Sequence, residues 1–159
     1  MWRTLLFAAL AVAGGMCLAL QSSVNARMRD VLRGSPWGAA MVSVVVSSVI
    51  LAALAVTAGQ GRQVARGLGH GPWWAYLGGV LGVVFLVTSL VAVTHMGATV
   101  TYIAVTLGGT ASAAVADRFG LFGLTQIHLG WQRIAAIALM TGALVLLLHE
   151  TLSRSTSGG

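Results

Sequence analysis

Charge is what this chain has least of. Only 8% of its 159 residues are charged, against roughly a quarter in a soluble domain. Acid is scarcest: Asp30, Asp117 and Glu150 are the whole complement. Lysine is absent, so all nine basic residues are arginine, and each lies at or between the ends of apolar runs. The net charge of +6 and the isoelectric point near 11.5 therefore do not indicate nucleic acid, because there is no basic stripe with interleaved aromatics. Cysteine is limited to Cys17, which excludes an internal disulfide and, within an apolar run, reads as a small hydrophobe. No HExxH, GxSxG or His/Asp cluster is present, so hydrolases and metalloenzymes lack their signatures. No catalytic residue, metal or cofactor is expected, and the chain does not read as an enzyme.

What fills the sequence instead is hydrocarbon: 57% of residues are hydrophobic and the mean hydropathy is +0.90. A membrane span needs about 20 mostly apolar residues. Five runs qualify, at 4–26, 37–58, 73–95, 98–116 and 131–149. The N-terminus resembles a signal peptide, with Arg3 as its charged start, but the apolar run continues through Leu20, too long for that role. Trp2, Trp37, Trp73, Trp74 and Trp131 all fall at span starts, where indole sits half buried at headgroup level. The chain therefore reads as an all-α integral membrane protein: one five-helix domain over 1–150 with a disordered Ser/Thr/Gly tail at 151–159.

No Asp, Glu, Lys or Arg lies well inside any span. The polar groups that do are neutral. Gln21 and Asn25 stand four apart near the end of the first run, hence on one helix face, and a buried amide is costly unless it meets a partner or water. At 1.5 Å per residue Gln21 lies about 25 Å from Thr4, in the far half of the bilayer. Ser43 and Ser47 share a face of the second span. Tyr102 and Thr106 belong to a small polar face of the fourth. Gly78 and Gly82 form a GxxxG that admits a close neighbour, and Gly108–Gly109 invites a tight crossing or bend. Asp117 ends the fourth span beside Arg118 and reads as an interface anchor or a loop partner. Glu150 ends the fifth, and His95 ends the third. Five spans put the termini on opposite sides, with Arg3, Arg62, Arg66, Arg118 and Arg133 on one and Arg27, Arg29, Arg33 and Arg154 on the other. That balance gives little positive-inside bias. It predicts insertion in both orientations and an antiparallel pair, an inverted-repeat arrangement common among transporters.

LALQSSVNARM, PWGAAMVSVVVSS, PWWAYLGGVLGVVFLVTSL, HMGATVTY and DRFGLFG occur in this order. Together they resemble the YdcZ-type proteins (domain of unknown function 606) of the drug/metabolite transporter superfamily, over about 11–148. The resemblance implies a bacterial inner-membrane, multi-pass five-helix unit that acts as a homodimer, a heterodimer or a fused pair and transports a solute of unassigned class. It places family positions at Gln21, Asn25, Ser43 and Asp117. One departure is Gly108–Gly109, where the family often has Gly-Gln. The resulting expectation is a small-solute transporter working by alternating access in an antiparallel dimer of ten helices. Its partners are lipid, a second or homologous copy and an unknown small molecule, with no nucleic acid. Gln21, Asn25, Ser43, Ser47, Tyr102 and Thr106 line the pathway; Gly78, Gly82, Gly108 and Gly109 serve helix packing. Two other readings are a non-transporting scaffold or accessory subunit, and a multidrug-type cation exporter that would need Asp117 or Glu150 buried.

Overall fold

The computed structural model describes residues 2–123 and 125–157, and every element among them is helical. In order these are α1 (Trp2–Val31), α2 (Pro36–Thr57), α3 (Gly61–Gly67), a 3₁₀ turn (Trp73–Tyr76), α4 (Leu77–Met96), α5 (Ala98–Phe119), a second 3₁₀ turn (Leu121–Gly123) and α6 (Trp131–Ser157). Five stretches are long and apolar enough to cross a membrane: Trp2–Val31, Pro36–Thr57, Trp73–Met96, Ala98–Phe119 and Trp131–Ser153. The expected tryptophans stand at their starts, and Trp2, Trp37, Trp73 and Trp131 are widely exposed.

The breaks between helices have local causes. At the end of α1, Gly34 N–H donates to Arg29 O (2.9 Å) and Arg33 N–H to Asp30 O (3.3 Å), the paired bonds of a Schellman motif. The left-handed position in that motif is Arg33, at φ 56°, rather than a glycine. Ser35 then caps α2 by accepting from Gly38 N–H at 3.0 Å, and Pro36 opens the first turn, where its missing N–H costs nothing. At the far end of α2 the same motif recurs with Gly59 in the left-handed position (φ 70°), Gln60 N–H donating to Ala55 O and Gly59 N–H to Val56 O. Gly97, between α4 and α5, holds φ 80° and ψ 165°, a region open essentially to glycine alone.

Three boundaries differ from the sequence reading. α1 runs to Val31 rather than 26, so Arg27, Arg29 and Asp30 ride on its last turns, and Arg27 pairs with Asp30 at 3.4 Å. The Gly- and Arg-rich linker at 59–72 contains α3, tied back where Gly69 N–H donates to the Tyr76 hydroxyl at 3.0 Å. The tail expected to be loose from 151 continues as α6 to Ser157, with the Thr151 and Ser153 hydroxyls each bonding a carbonyl four residues back. Residues 158 and 159 of that tail lie outside the described residues.

The helices group into two compact units, Met1–Thr94 and His95–Gly159. In the first, α1 packs on α2; in the second, α5 packs on α6. Burial is sparse. The most apolar windows of α1 and α6 bury none of their residues, and those of the other spans no more than 17%. Side chains such as Leu5, Phe7, Leu51, Leu139 and Leu146 are openly exposed. Apolar surface on this scale is covered in nature by lipid or by another chain.

Candidate functional site

Within the first unit the polar end of α1 meets the first half of α2. Ser22 and Ser23 are satisfied on their own helix, bonding Leu18 O and Ala19 O, so neither is available to a ligand. Gln21 reaches across: its Nε2 donates to Ser43 Oγ at 3.1 Å. One turn on, Asn25 is only 6% exposed, and its Nδ2 has no hydrogen-bond partner among the described residues. An orphaned buried donor costs about 1–3 kcal/mol, so Asn25 is either a local weakness or a group kept for something that arrives.

Two grooves flank this cluster. One, of about 380 Å³, is lined by the polar residues Gln21, Asn25, Ser43 and Ser47 and by the apolar residues Val24, Met28, Val42 and Val46. The other, of about 310 Å³, shares Gln21, Ser43 and Ser47 and extends to Ser48 and to Gly79, Gly82 and Phe85 of α4. The Gln21–Ser43 bond and the exposed Ser47 therefore stand in the wall common to both. Neither lining contains an ionisable side chain. Of the six residues singled out from sequence, Gln21, Asn25, Ser43 and Ser47 come together here.

Tyr102 and Thr106 belong to the second unit. The Tyr102 hydroxyl is buried without a partner among the described residues, while the Thr106 hydroxyl is engaged with Tyr102 O at 2.7 Å. Thr101, not singled out from sequence, is 1% exposed and bonds Gly97 O at 2.8 Å. Its burial explains itself as a hydroxyl back-bond in the first turn of α5.

Asp117 is more than an anchor beside Arg118. Its Oδ2 accepts from Arg133 Nη1 at 2.8 Å, with the two side chains 29% and 42% exposed, and its backbone carbonyl takes Ile127 N–H at 2.9 Å. This pair joins the last turn of α5 to the first turn of α6. A carboxylate already held by arginine does not serve as the free, buried counter-charge that a cation exporter needs. The signal was in the sequence: two spans joined by a turn bring residues just inside their facing ends together.

The glycines proposed for helix packing stand differently. A Cβ added at Gly78, Gly82, Gly108 or Gly109 would meet no heavy atom within 4 Å. No neighbouring helix within the described residues rides close on them, and their small faces stay open.

Five apolar spans define a multi-pass helical membrane protein, and the groove of its first unit is lined by neutral polar and apolar side chains. Among the described residues no group of three or more His, Cys, Asp or Glu could hold a metal. The chain belongs to the family described as "Putative inner membrane exporter, YdcZ", which matches residues 6–146. That membership supports a membrane transporter, multi-pass in the inner membrane, and an exporter family is not an enzyme class. Neither a curated protein nor a solved structure matches the chain.

Proposed function

We propose that this chain moves a small, uncharged or weakly polar solute across the inner membrane by alternating access, as an antiparallel dimer of two five-helix domains. The observation that carries the reading is the Asn25 amide: buried, unpartnered, and lining an open groove beside the Gln21–Ser43 pair. Ser47 extends the polar wall; Tyr102 and Thr106 are secondary contributors in the second unit. The absence of ionisable groups in the grooves favours facilitated movement or a neutral cargo over proton-driven export of cations. The second copy is supported by the nearly even arginine count and by spans that bury so little. Gly78, Gly82, Gly108 and Gly109 offer faces on which a like or homologous unit can settle closely.

Reconstitution tests this directly. Gln21→Ala and Asn25→Ala are expected to abolish flux into proteoliposomes while the cross-linked dimer persists. A specific observation favours a second reading, in which the chain is a scaffold: the 3.1 Å Gln21–Ser43 bond also joins α1 to α2. On that reading both substitutions would dissociate the protein and flux would never have been present. Orientation is tested in a Cys17→Ala background by cysteines introduced at Val64 and Ser155. Each site should react from both sides of intact cells, and one-sided labelling would rule out dual topology.

A further inference from the structure

We infer that Asn25 donates a hydrogen bond to a carbonyl-type oxygen of an uncharged solute, so that the groove selects neutral amide- or carbonyl-bearing molecules over organic cations. This deepens the transport reading and depends on it for the solute's passage, not for its binding.

Three observations converge. First, as the Asn25 amide is oriented here, the orphan among the described residues is a donor: Nδ2 of a residue 6% exposed. Buried donors in native proteins are almost always matched, and the acceptor best suited to fill this place is an oxygen carried in by the ligand. Second, the neighbouring pair stays bifunctional however its amide is turned. With Gln21 Nε2 donating to Ser43 Oγ, the Gln21 oxygen and the serine proton remain free. Turned over, the serine proton is used while the Gln21 N–H groups and a serine lone pair remain. The wall thus offers a donor and an acceptor beside Asn25, matching a solute that has both. Third, no carboxylate lines the groove. A cation entering it would lose its water and find no counter-charge. The valines and Met28 interleaved with these polar groups suit a short apolar body, and about 380 Å³ is enough for a small ligand, at the lower end of the 300–1,000 Å³ typical of such sites.

Benzamide and benzamidinium form a matched pair of probes: the same shape, with the carbonyl oxygen of one replaced by a charged nitrogen in the other. With the purified full chain in detergent, benzamide should raise the melting temperature in a dose-dependent way and benzamidinium should not. Asn25→Asp keeps the shape but exchanges the donor for an acceptor with charge. It should weaken benzamide about tenfold, the equivalent of one lost hydrogen bond, and admit benzamidinium. Asn25→Leu, with no polar group, should lose benzamide without gaining benzamidinium, which guards against misreading an unstable Asp variant. The inference is overturned if benzamidinium stabilises the native chain as well as benzamide does, if Asn25→Asp retains benzamide affinity, or if neither probe shifts melting. Flux separates this outcome from the broader reading. Asn25-dependent benzamide binding without transport of any solute would sink the transporter while leaving the donor role standing. Vesicles that move organic cations independently of Asn25 would do the reverse.

Discussion

Replacing Asn25 with leucine sets stability against function. Leucine is close to asparagine in shape, so the site need not repack. In a membrane protein the apolar gain is small, because lipid is as apolar as the interior, and the change reduces mainly to removing an unmatched donor. A buried polar group without a partner costs about 1–3 kcal/mol. Leucine is also the better helix former, by up to about half a kcal/mol. Asn25→Leu should therefore stabilise the chain by about 1–3 kcal/mol in detergent or bicelle unfolding, and at the same time remove flux. That combination marks a residue retained at the expense of the fold. The reasoning fails if the substitution destabilises the chain by more than about 1 kcal/mol, because the amide would then be supporting the structure through bonds of its own.

Arg33 occupies a left-handed position (φ 56°) that costs an L-residue about 1–2 kcal/mol. Arg33→Gly should raise thermal stability by about that amount and, by taking one arginine from the side that holds four, bias cysteine labelling toward one orientation. At Gly97 the backbone conformation, not crowding, is the constraint, since an added Cβ meets nothing within 4 Å. Gly97→Ala should cost about 1–3 kcal/mol through φ/ψ strain alone, visible as a lowered midpoint in thermal unfolding. The part-exposed Asp117–Arg133 pair should show a coupling of about 0.2–1 kcal/mol in a double-mutant cycle with Asp117→Asn and Arg133→Gln, weakened by added salt.

The spans were legible because hydropathy and tryptophan report on lipid, a solvent that permits few alternatives. Each of the five spans starts within a few residues of its expected place. The misplaced ends are those set by short-range bonds. The hydrophobic run of α1 stops before Arg27, yet the helix continues until Arg33 and Gly34 close it. α6 passes Glu150, its threonine and serine hydroxyls bonding back to the helix rather than competing with it. Gln21 and Asn25 announced themselves as amides in hydrocarbon, and their spacing put them on one face. Ser43 as the partner of Gln21 was not readable, since it depends on the register of α1 against α2, which nothing in either helix fixes alone. Arg133 as the partner of Asp117 was readable from the facing ends of two joined spans, but Arg118, adjacent in sequence, drew attention away. The glycine motifs show the converse failure: spacing identifies a surface able to pack closely and is silent on whether a neighbour in the same chain uses it.

The depth of the cluster has a consequence for how two copies would share the work. Trp2 marks headgroup level at the start of α1, and Gln21 and Asn25 lie about 28 and 34 Å further along that helix. Across a hydrocarbon core about 30 Å thick that places the cluster near the far membrane face, and an average tilt of about 20° shortens the rise by only about 2 Å. In an antiparallel pair the two clusters then stand near opposite faces, some 20 Å or more apart by the same rise, too far to grip one small solute between them. In such a pair each chain would hold its own ligand rather than share one. Calorimetric titration of the dimer with benzamide should give one ligand per chain, with equal intrinsic affinity in a homodimer. A stoichiometry of one per dimer would mean that the clusters converge on a single midplane site, and that α1 lies far more obliquely in the lipid than its length and its tryptophan anchor require.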